Sequence, residues 1–471
     1  MTDVTTAASA SALDTAALAE LREGFRGEVI EPGSPRYDEA RIVYNAMFDR
    51  RPAIILKPAG TADVIRAVGL ARLSGLPLAV RSGGHSLAGF SSSDGGIVID
   101  MRGMKGIRVD PRNRTVRAQA GLNWGEFDRE TQAFGLATTG GRVTTTGISG
   151  FTLSSGSGWL ERKLGLAADT LISVDVVTAD GAVVTATEDD NADLFWGLRG
   201  GGGNFGVVTE MEFRLAPIGP LVHGGIFLFD PAKSAEVVKT WRDISENATD
   251  GLGWGVASVT APPEPFVPEQ WHFKRMIGVL GMVSGASDEE AEAIVAPLKA
   301  LGPVVPIWQQ MPYTAFQGII DAANPYGRRN YWRLHNLGDA NESLIDTFVD
   351  RASAIPSPFT AFILTRQGGA IEAVGENDSA LSGRSAPFQI HLNAAWEGDA
   401  DTENIEWVKD TSEALESHVI PGSPLNFYTE IGDAEVADTY GQKLQRLQDL
   451  KAKYDPTNLF KLNQNIAPAA S

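Results

Sequence analysis

The sequence predicts an α+β protein, on two observations. Short apolar runs rich in β-branched residues are interspersed with amphipathic helical stretches through the first half of the chain. Beyond the prolines at 217 and 220 the pattern lengthens into alternating strands and long helices, which reads as an antiparallel sheet covered by helices on one face. At 471 residues the chain exceeds a single core, so two to four domains are expected, with a boundary at 217–220.

Taken in order, residues 1–10 read as a disordered lead. Residues 11–25 place Leu13, Leu18 and Leu21 on one side of a helix with Asp14 as N-cap, and 42–48 offers a second short amphipathic piece. A strand at 53–56 precedes a helix at 61–74 that turns Val64, Ile65, Val68 and Ala71 inward and stops at Gly75. Strands follow at 76–80, 96–100, 107–109 and 115–121, then a helix at 123–134 with Trp124, Phe127 and Phe134 on its apolar side. Strands at 171–178 and 183–187 close as a hairpin on Asp180-Gly181. A short helix at 191–198 leads to an alternating strand at 207–215.

In the second half, strands at 224–229, 252–260, 273–282, 361–365 and 388–396 mix with helices at 234–247, 287–301, 342–354 and 404–418. Ser287 with Glu290 forms a capping box. One long helix at 434–454 ends the pattern.

Composition removes whole classes of function. A net charge of -19 argues against nucleic acid or an anionic membrane as partner. Without cysteine there are no disulfides, thiolate metal sites, Fe–S clusters or cysteine nucleophiles. No G-x-S-x-G elbow or H-E-x-x-H motif is present and the six histidines are scattered, so neither a hydrolase nor a metal site is expected. The first 25 residues lack a basic segment and a continuous apolar core, and no run reaches the ~18 apolar residues of a membrane span; a cytoplasmic protein is expected.

Two glycine-rich stretches stand out. VRSGGHSLAGF at 80–90 leaves a strand-like run into paired glycines that let the backbone approach a ligand and form an anion-binding concavity, suited to a pyrophosphate. His85 directly after them is a metal ligand, a cap, a site of covalent attachment or a satisfied loop histidine, and the pattern alone selects none. The stretch GGRVTTTGISGFTLSSGSG at 140–158 reads as a second ligand-facing loop, anchored by Ile148, Phe151 and Leu153. Gly201-x-Gly203-x-x-Gly206 matches the dinucleotide fingerprint in letters, but it follows a helix and enters a strand, the reverse of a Rossmann turn.

Five segments in one order carry a resemblance: RSGGHSLAGF at 81–90, GIVIDMRGM at 96–104, the run at 140–171, DLFWGLRGGGGNFGVVTEMEFRL at 193–215 and YDPTNLFKLNQNI at 454–466. Together, over 46–466, they resemble the berberine-bridge-enzyme branch of the vanillyl-alcohol-oxidase flavoproteins. The resemblance implies a lead with helices at 1–45 and a two-lobed PCMH-type FAD-binding domain at 46–218. It further implies a substrate domain at 219–430 and a C-terminal segment at 431–471 that returns to the flavin.

What the resemblance implies for FAD is contact with Arg81, Ser82, Gly83, Gly84, His85, Ser86, Gly141, Thr145, Thr146, Gly147, Gly150, Gly156, Gly158, Gly206, Val208, Asn463 and Asn465. Backbone amides of Ser82, Gly83, Gly84 and Ser86 would hold the pyrophosphate. In the family the histidine of the GGH turn is bonded to the flavin 8α-methyl carbon, and His85 stands at that position. Val143 stands where many members carry a cysteine for a second link. A single link is therefore implied, as in bacterial relatives similar to the 6-hydroxynicotine oxidases, with a more open site suited to a bulky substrate.

The reaction implied is hydride transfer to flavin from a C–H bond of an alcohol, amine or secondary metabolite, with O2 the expected acceptor. Alternation puts Gln389, His391 and Asn393 on one strand face, and His391, ordinarily titrating near 6.5, is the first choice as base. The family's tyrosine ahead of the last helix is displaced here, which makes Tyr428 the second choice. It also keeps a flavin-bearing drug-binding protein as an alternative. Thr146 falls where the family usually has Val, Ile or Leu controlling O2 access, which leaves a dehydrogenase with another acceptor open. Trp254, Trp271, Trp308, Tyr326, Tyr331 and Trp332 suggest a planar or polycyclic small organic substrate.

Overall fold

The computed structural model describes Leu13 and residues 15–469. Two small sheets and one large one make the frame. In the first, Glu28–Ile30, Ile54–Lys57, Ile97–Asp100 and Leu78–Arg81 lie side by side in that order. The last three are parallel, because Thr61–Ser74 provides the crossover helix. The second is antiparallel: Ile107–Asp110, Thr115–Gln119, Val207–Arg214, Leu171–Val177 and Val183–Ala186. Their apolar faces merge into one core that includes Val64, Val68, Phe127, Val174, Phe205 and Met211.

The large sheet has eight antiparallel strands, ordered Val305–Pro312, Leu221–Phe229, Arg275–Val283, Leu252–Thr260, Ala361–Arg366, Phe388–Trp396, Arg329–Leu337 and Val419–Ile420. Period-two alternation divides it. Phe227, Val256, Val279, Phe362, Leu364, Ile390 and Leu392 meet helices Ser234–Asn247, Asp288–Ala300, Glu342–Ser353 and Asp401–Leu415 through Trp241, Val295, Phe348 and Val408. Residues one position off face the first two sheets instead.

The chain end returns to the first core, where Leu447, Leu450, Phe460 and Ile466 are buried. It is held by one buried cation. Lys451 Nζ donates to Asp455 Oδ2 at 2.6 Å, to Asn204 O at 2.7 Å and to Phe460 O at 3.0 Å. Asp455 in turn accepts from the amides of Leu459 and Phe460, both at 2.8 Å. Asn204 Oδ1 accepts from Ile466 N, so the glycine-rich segment before Val207–Arg214 and the tail hold each other.

Several sequence expectations change. The short helix forms at Tyr37–Arg41, and 42–48 is irregular because its backbone amides bond elsewhere, Tyr44 N to Gly84 O at 3.0 Å and Ala46 N to Arg328 O at 2.9 Å, while the Asn45 side chain donates to Leu87 O and Asn330 O, both at 2.8 Å. Phe134 lies past the end of helix Trp124–Gln132 and is exposed. The stretch 140–158 is not loop throughout: Ile148–Ser154 is helical and buries Ile148, Thr152 and Leu153. The long last helix is two, Asp433–Tyr440 and Leu444–Tyr454, parted where Gly441 takes φ +49.

Strands Val305–Pro312 and Arg329–Leu337 carry no clear strand pattern in sequence, the first edge-like with two prolines, the second broken by polar residues. The N-cap expected at Asp14 and the lead at 1–10 lie outside the described residues. The hairpin on Asp180-Gly181 and the Ser287–Glu290 capping box form as expected.

Removing the cation while keeping its partner leaves a carboxylate buried without a counter-charge. Lys451→Met is expected to lower unfolding free energy by about 3–5 kcal/mol, read from the urea midpoint; a change below about 1 kcal/mol would show that Asp455 does not depend on it.

Candidate active site

A cavity of about 700 Å³ lies between the first core and the uncovered face of the large sheet. On one side are the turn after Leu78–Arg81, the 141–159 segment, Gly203 to Val208 and the tail at Phe460 to Gln464; on the other are sheet residues including Gly255, Ala257, Gly278, Ile363, His391 and Asn393. The turn is extreme in its backbone: Gly84 takes φ +78. A Cβ on Gly83 would lie 2.2 Å from Gly147 N, and one on Gly147 would lie 2.1 Å from Gly83 N. The two glycine-rich segments therefore touch backbone to backbone. Ser82 Oγ and Ser149 Oγ both donate to Ala120 O, at 2.7 and 2.9 Å, which ties the pair to the second sheet.

His85 is held from three sides. Its ring stacks on Tyr44 at 4.3 Å and meets the edge of Tyr326 at 5.3 Å, and its Nε2 is 2.9 Å from Thr145 Oγ1. Tyr326 O–H donates to Gly83 O at 2.5 Å. Burial pulls the His85 pKa down to about 3, so the imidazole is neutral and keeps a nitrogen lone pair.

His391 sits across the sheet face, its ring edge on Phe427 at 5.2 Å. Expected near neutrality, it is instead driven to about 3, by burial first and then by the Arg142 guanidinium. Its Nε2 is buried without a protein partner, as are Asn393 Oδ1 and Asn463 Oδ1 on the same walls. Arg142 bonds Ser157 Oγ at 3.0 Å and Glu161 Oε1 at 2.9 Å. Tyr428 also lines the cavity; burial raises its pKa, against the opposing pull of Arg333, whose guanidinium lies over its ring at 4.7 Å.

The residues named from sequence divide. Ser82, Gly83, Gly84, His85, Ser86, Gly141, Thr146, Gly147, Gly150, Gly206, Val208 and Asn463 line the cavity with Val143, His391, Asn393 and Tyr428. Arg81 does not: its guanidinium turns away to Ser91 O at 3.0 Å and to Ala40 O, pinning the turn from behind. Thr145 reaches His85 but is not a wall residue, and Asn465 stands just beyond the wall. Gly156 and Gly158 are behind it, needed for close packing on Ala167 and Gly140. Gln389 is spent on Asn336 Oδ1 at 2.9 Å.

Of the six aromatics, Trp332 lines the cavity and Tyr326 clamps the turn; Trp254 and Tyr331 are core, Trp308 packs against the helix-side core and donates to Ala291 O, and Trp271 packs half-buried beside Val267 and Met276. Tyr44 was missed, since nothing in 42–48 marks a lone tyrosine. Arg142 was legible only as the one charge within the 140–158 run.

The walls fit a large group that is polar at one end and flat and apolar at the other. Gly150 and Gly203 face the cavity with nothing within 4 Å of where a Cβ would stand, and three buried polar atoms wait for a partner. Among the described residues no cluster could hold a metal ion, and no helix is long and apolar enough to cross a membrane.

Comparison with known proteins places these features. The family model of an FAD binding domain matches residues 52–187, and the model described as berberine and berberine like matches 429–467. The chain is 31% identical over 457 residues to an FAD-linked oxidoreductase of Dictyostelium discoideum, covering 95% of this chain and 96% of that one. It matches the crystal structure of 6-hydroxy-D-nicotine oxidase from Arthrobacter nicotinovorans at TM-score 0.82 and 27% identity, over 94% of this chain and 98% of that one. BBE-like 1 of Physcomitrella patens shares the fold, at TM-score 0.86 and 21% identity over 97% of this chain and 99% of that one.

A histidine at about 3 when folded and 6.5 when unfolded is neutral in the native state, and it loses stability for the fold as pH drops below 6.5. Isotope-labelled imidazole NMR is expected to show His391 unprotonated from pH 8 down to about 4; a midpoint near 6.5 would contradict the burial seen here.

Proposed function

Because the chain belongs to the berberine-bridge-enzyme-like family of FAD-linked oxidoreductases, we propose that it oxidises a C–H bond bearing an alcohol or amine in a small organic substrate, with O2 as acceptor. Residues 46–218 and 431–471 hold FAD and 219–430 hold the substrate. Bound in the cavity, the isoalloxazine supplies a hydride acceptor that O2 regenerates with release of H2O2. The chain's own groups do the rest.

His85 would hold FAD through the single covalent tether, its neutral imidazole keeping a nitrogen lone pair and its ring aligned by Tyr44 and Tyr326. Val143 carries no thiol, so no second tether forms. The amides of Ser82, Gly83, Gly84 and Ser86 bind the pyrophosphate. His391 takes the proton of the substrate hydroxyl or amine. Burial and Arg142 keep it in the neutral, proton-accepting form throughout the physiological range. Tyr428, kept protonated by burial, serves as a hydrogen-bond donor.

The observation that carries the reading is the unpartnered His391 Nε2 in the same cavity as the clamped His85. His391→Ala is expected to lower kcat by about 10²-fold or more at unchanged flavin content, and an unchanged kcat removes it from the reaction. In the same preparation, enzyme reduced anaerobically is expected to reoxidise in air within seconds; a flavin that stays reduced for minutes points to another acceptor past Thr146.

The tether has its own test. Acid-precipitated protein is expected to come down yellow, and His85→Ala is expected to leave its flavin in the supernatant. Colourless wild-type precipitate rules the bond out.

A further inference from the structure

The chain carries 59 Asp and Glu residues, yet none of them lines the cavity among the described residues. Its two charged wall residues are arginines already matched, Arg142 by Glu161 at 2.9 Å and Arg328 by Glu397 at 3.1 Å. A cation entering here would lose its water and meet no counter-charge, while a neutral molecule meets no such penalty.

The sheet face adds a shape. Strand registers set His391 beside Ile363, Ile363 beside Ala257, Ala257 beside Gly278 and Gly278 beside Leu228, and all five line the cavity. The middle of this row is nearly without side chains. Three strand spacings separate His391 from Gly278, about 14 Å, which accommodates three fused six-membered rings, about 12 Å long with their van der Waals surface, together with one small polar substituent. Large aliphatic residues close the far end at Leu228 and flank the hollow at Leu280 and Val259.

We infer that the substrate is an uncharged, apolar molecule about three fused rings long, lying over Ile363, Ala257 and Gly278 with its oxidised carbon at the His391 end. The assignment of that end rests on the oxidase reading above; the charge and the length do not.

Binding to the oxidised holoenzyme tests this without turnover, using anthracene-2-carboxamide, its cationic isostere anthracene-2-carboxamidine, and benzamide, followed by perturbation of the flavin spectrum. The carboxamide is expected to bind at least about tenfold tighter than the carboxamidine, because the cation finds no partner. Ala257→Phe, which fills the hollow, is expected to weaken the three-ring carboxamide about tenfold while benzamide stays within about twofold. Equal or tighter binding of the carboxamidine overturns the charge argument, and unchanged three-ring affinity in Ala257→Phe overturns the placement. If that variant loses its flavin, Ala257→Leu replaces it, and the wild-type isostere comparison stands regardless. Neither readout involves a reaction, so a failure here leaves the oxidase proposal standing, and absent turnover leaves this inference standing.

Discussion

The contact on which the site depends is the one between Gly83 and Gly147. Each would drive a Cβ to within about 2 Å of the other's backbone nitrogen, so no side chain is tolerated on either. Their contact brings the end of a parallel strand against the start of helix Ile148–Ser154, and one wall of the cavity is the surface that results. Serines 82 and 149 then anchor that junction to a single carbonyl, Ala120.

The opposite wall depends on a different economy. The large sheet spends one face on four helices and turns the other, with Gly255, Ala257, Leu280 and Ile363, toward the cavity. Asn45 links the two walls, since its one amide side chain reaches both Leu87 and Asn330 and accepts from Asn330 N at 2.9 Å. A buried amide with this many partners fixes the separation of the two halves more tightly than apolar packing alone.

Electrostatics in the cavity run opposite to the composition. The surface is acidic, yet inside are neutral histidines and paired arginines. Desolvation decides this: in a cavity walled mainly by glycine and aliphatic side chains, an imidazolium is disfavoured at both His85 and His391, and Arg142 adds to the effect at the latter. The same low polarity that keeps these rings neutral excludes cations from the space between them.

Local chemistry was readable where a residue type has few alternatives. The paired glycines before His85, the capping box at Ser287, the Asp180-Gly181 hairpin and the absence of cysteine each follow from what a backbone or side chain permits on its own, and the order of five motifs identified the family. What the sequence left undetermined depends on long-range packing. Arg81 turns out of the cavity because carbonyls including Ala40 O of a distant segment receive it, and Gln389, on the expected face, stays out of the cavity wall because Asn336, opposite it on the next strand, receives its amide. Tyr44 and Tyr326, far apart in the chain, close on His85 only once residues 42–48 and the loop before Arg329–Leu337 have packed on the turn. Periodicity says which side of an element is apolar; which distant partner that side meets, and how far burial moves an imidazole, is decided only when the elements pack.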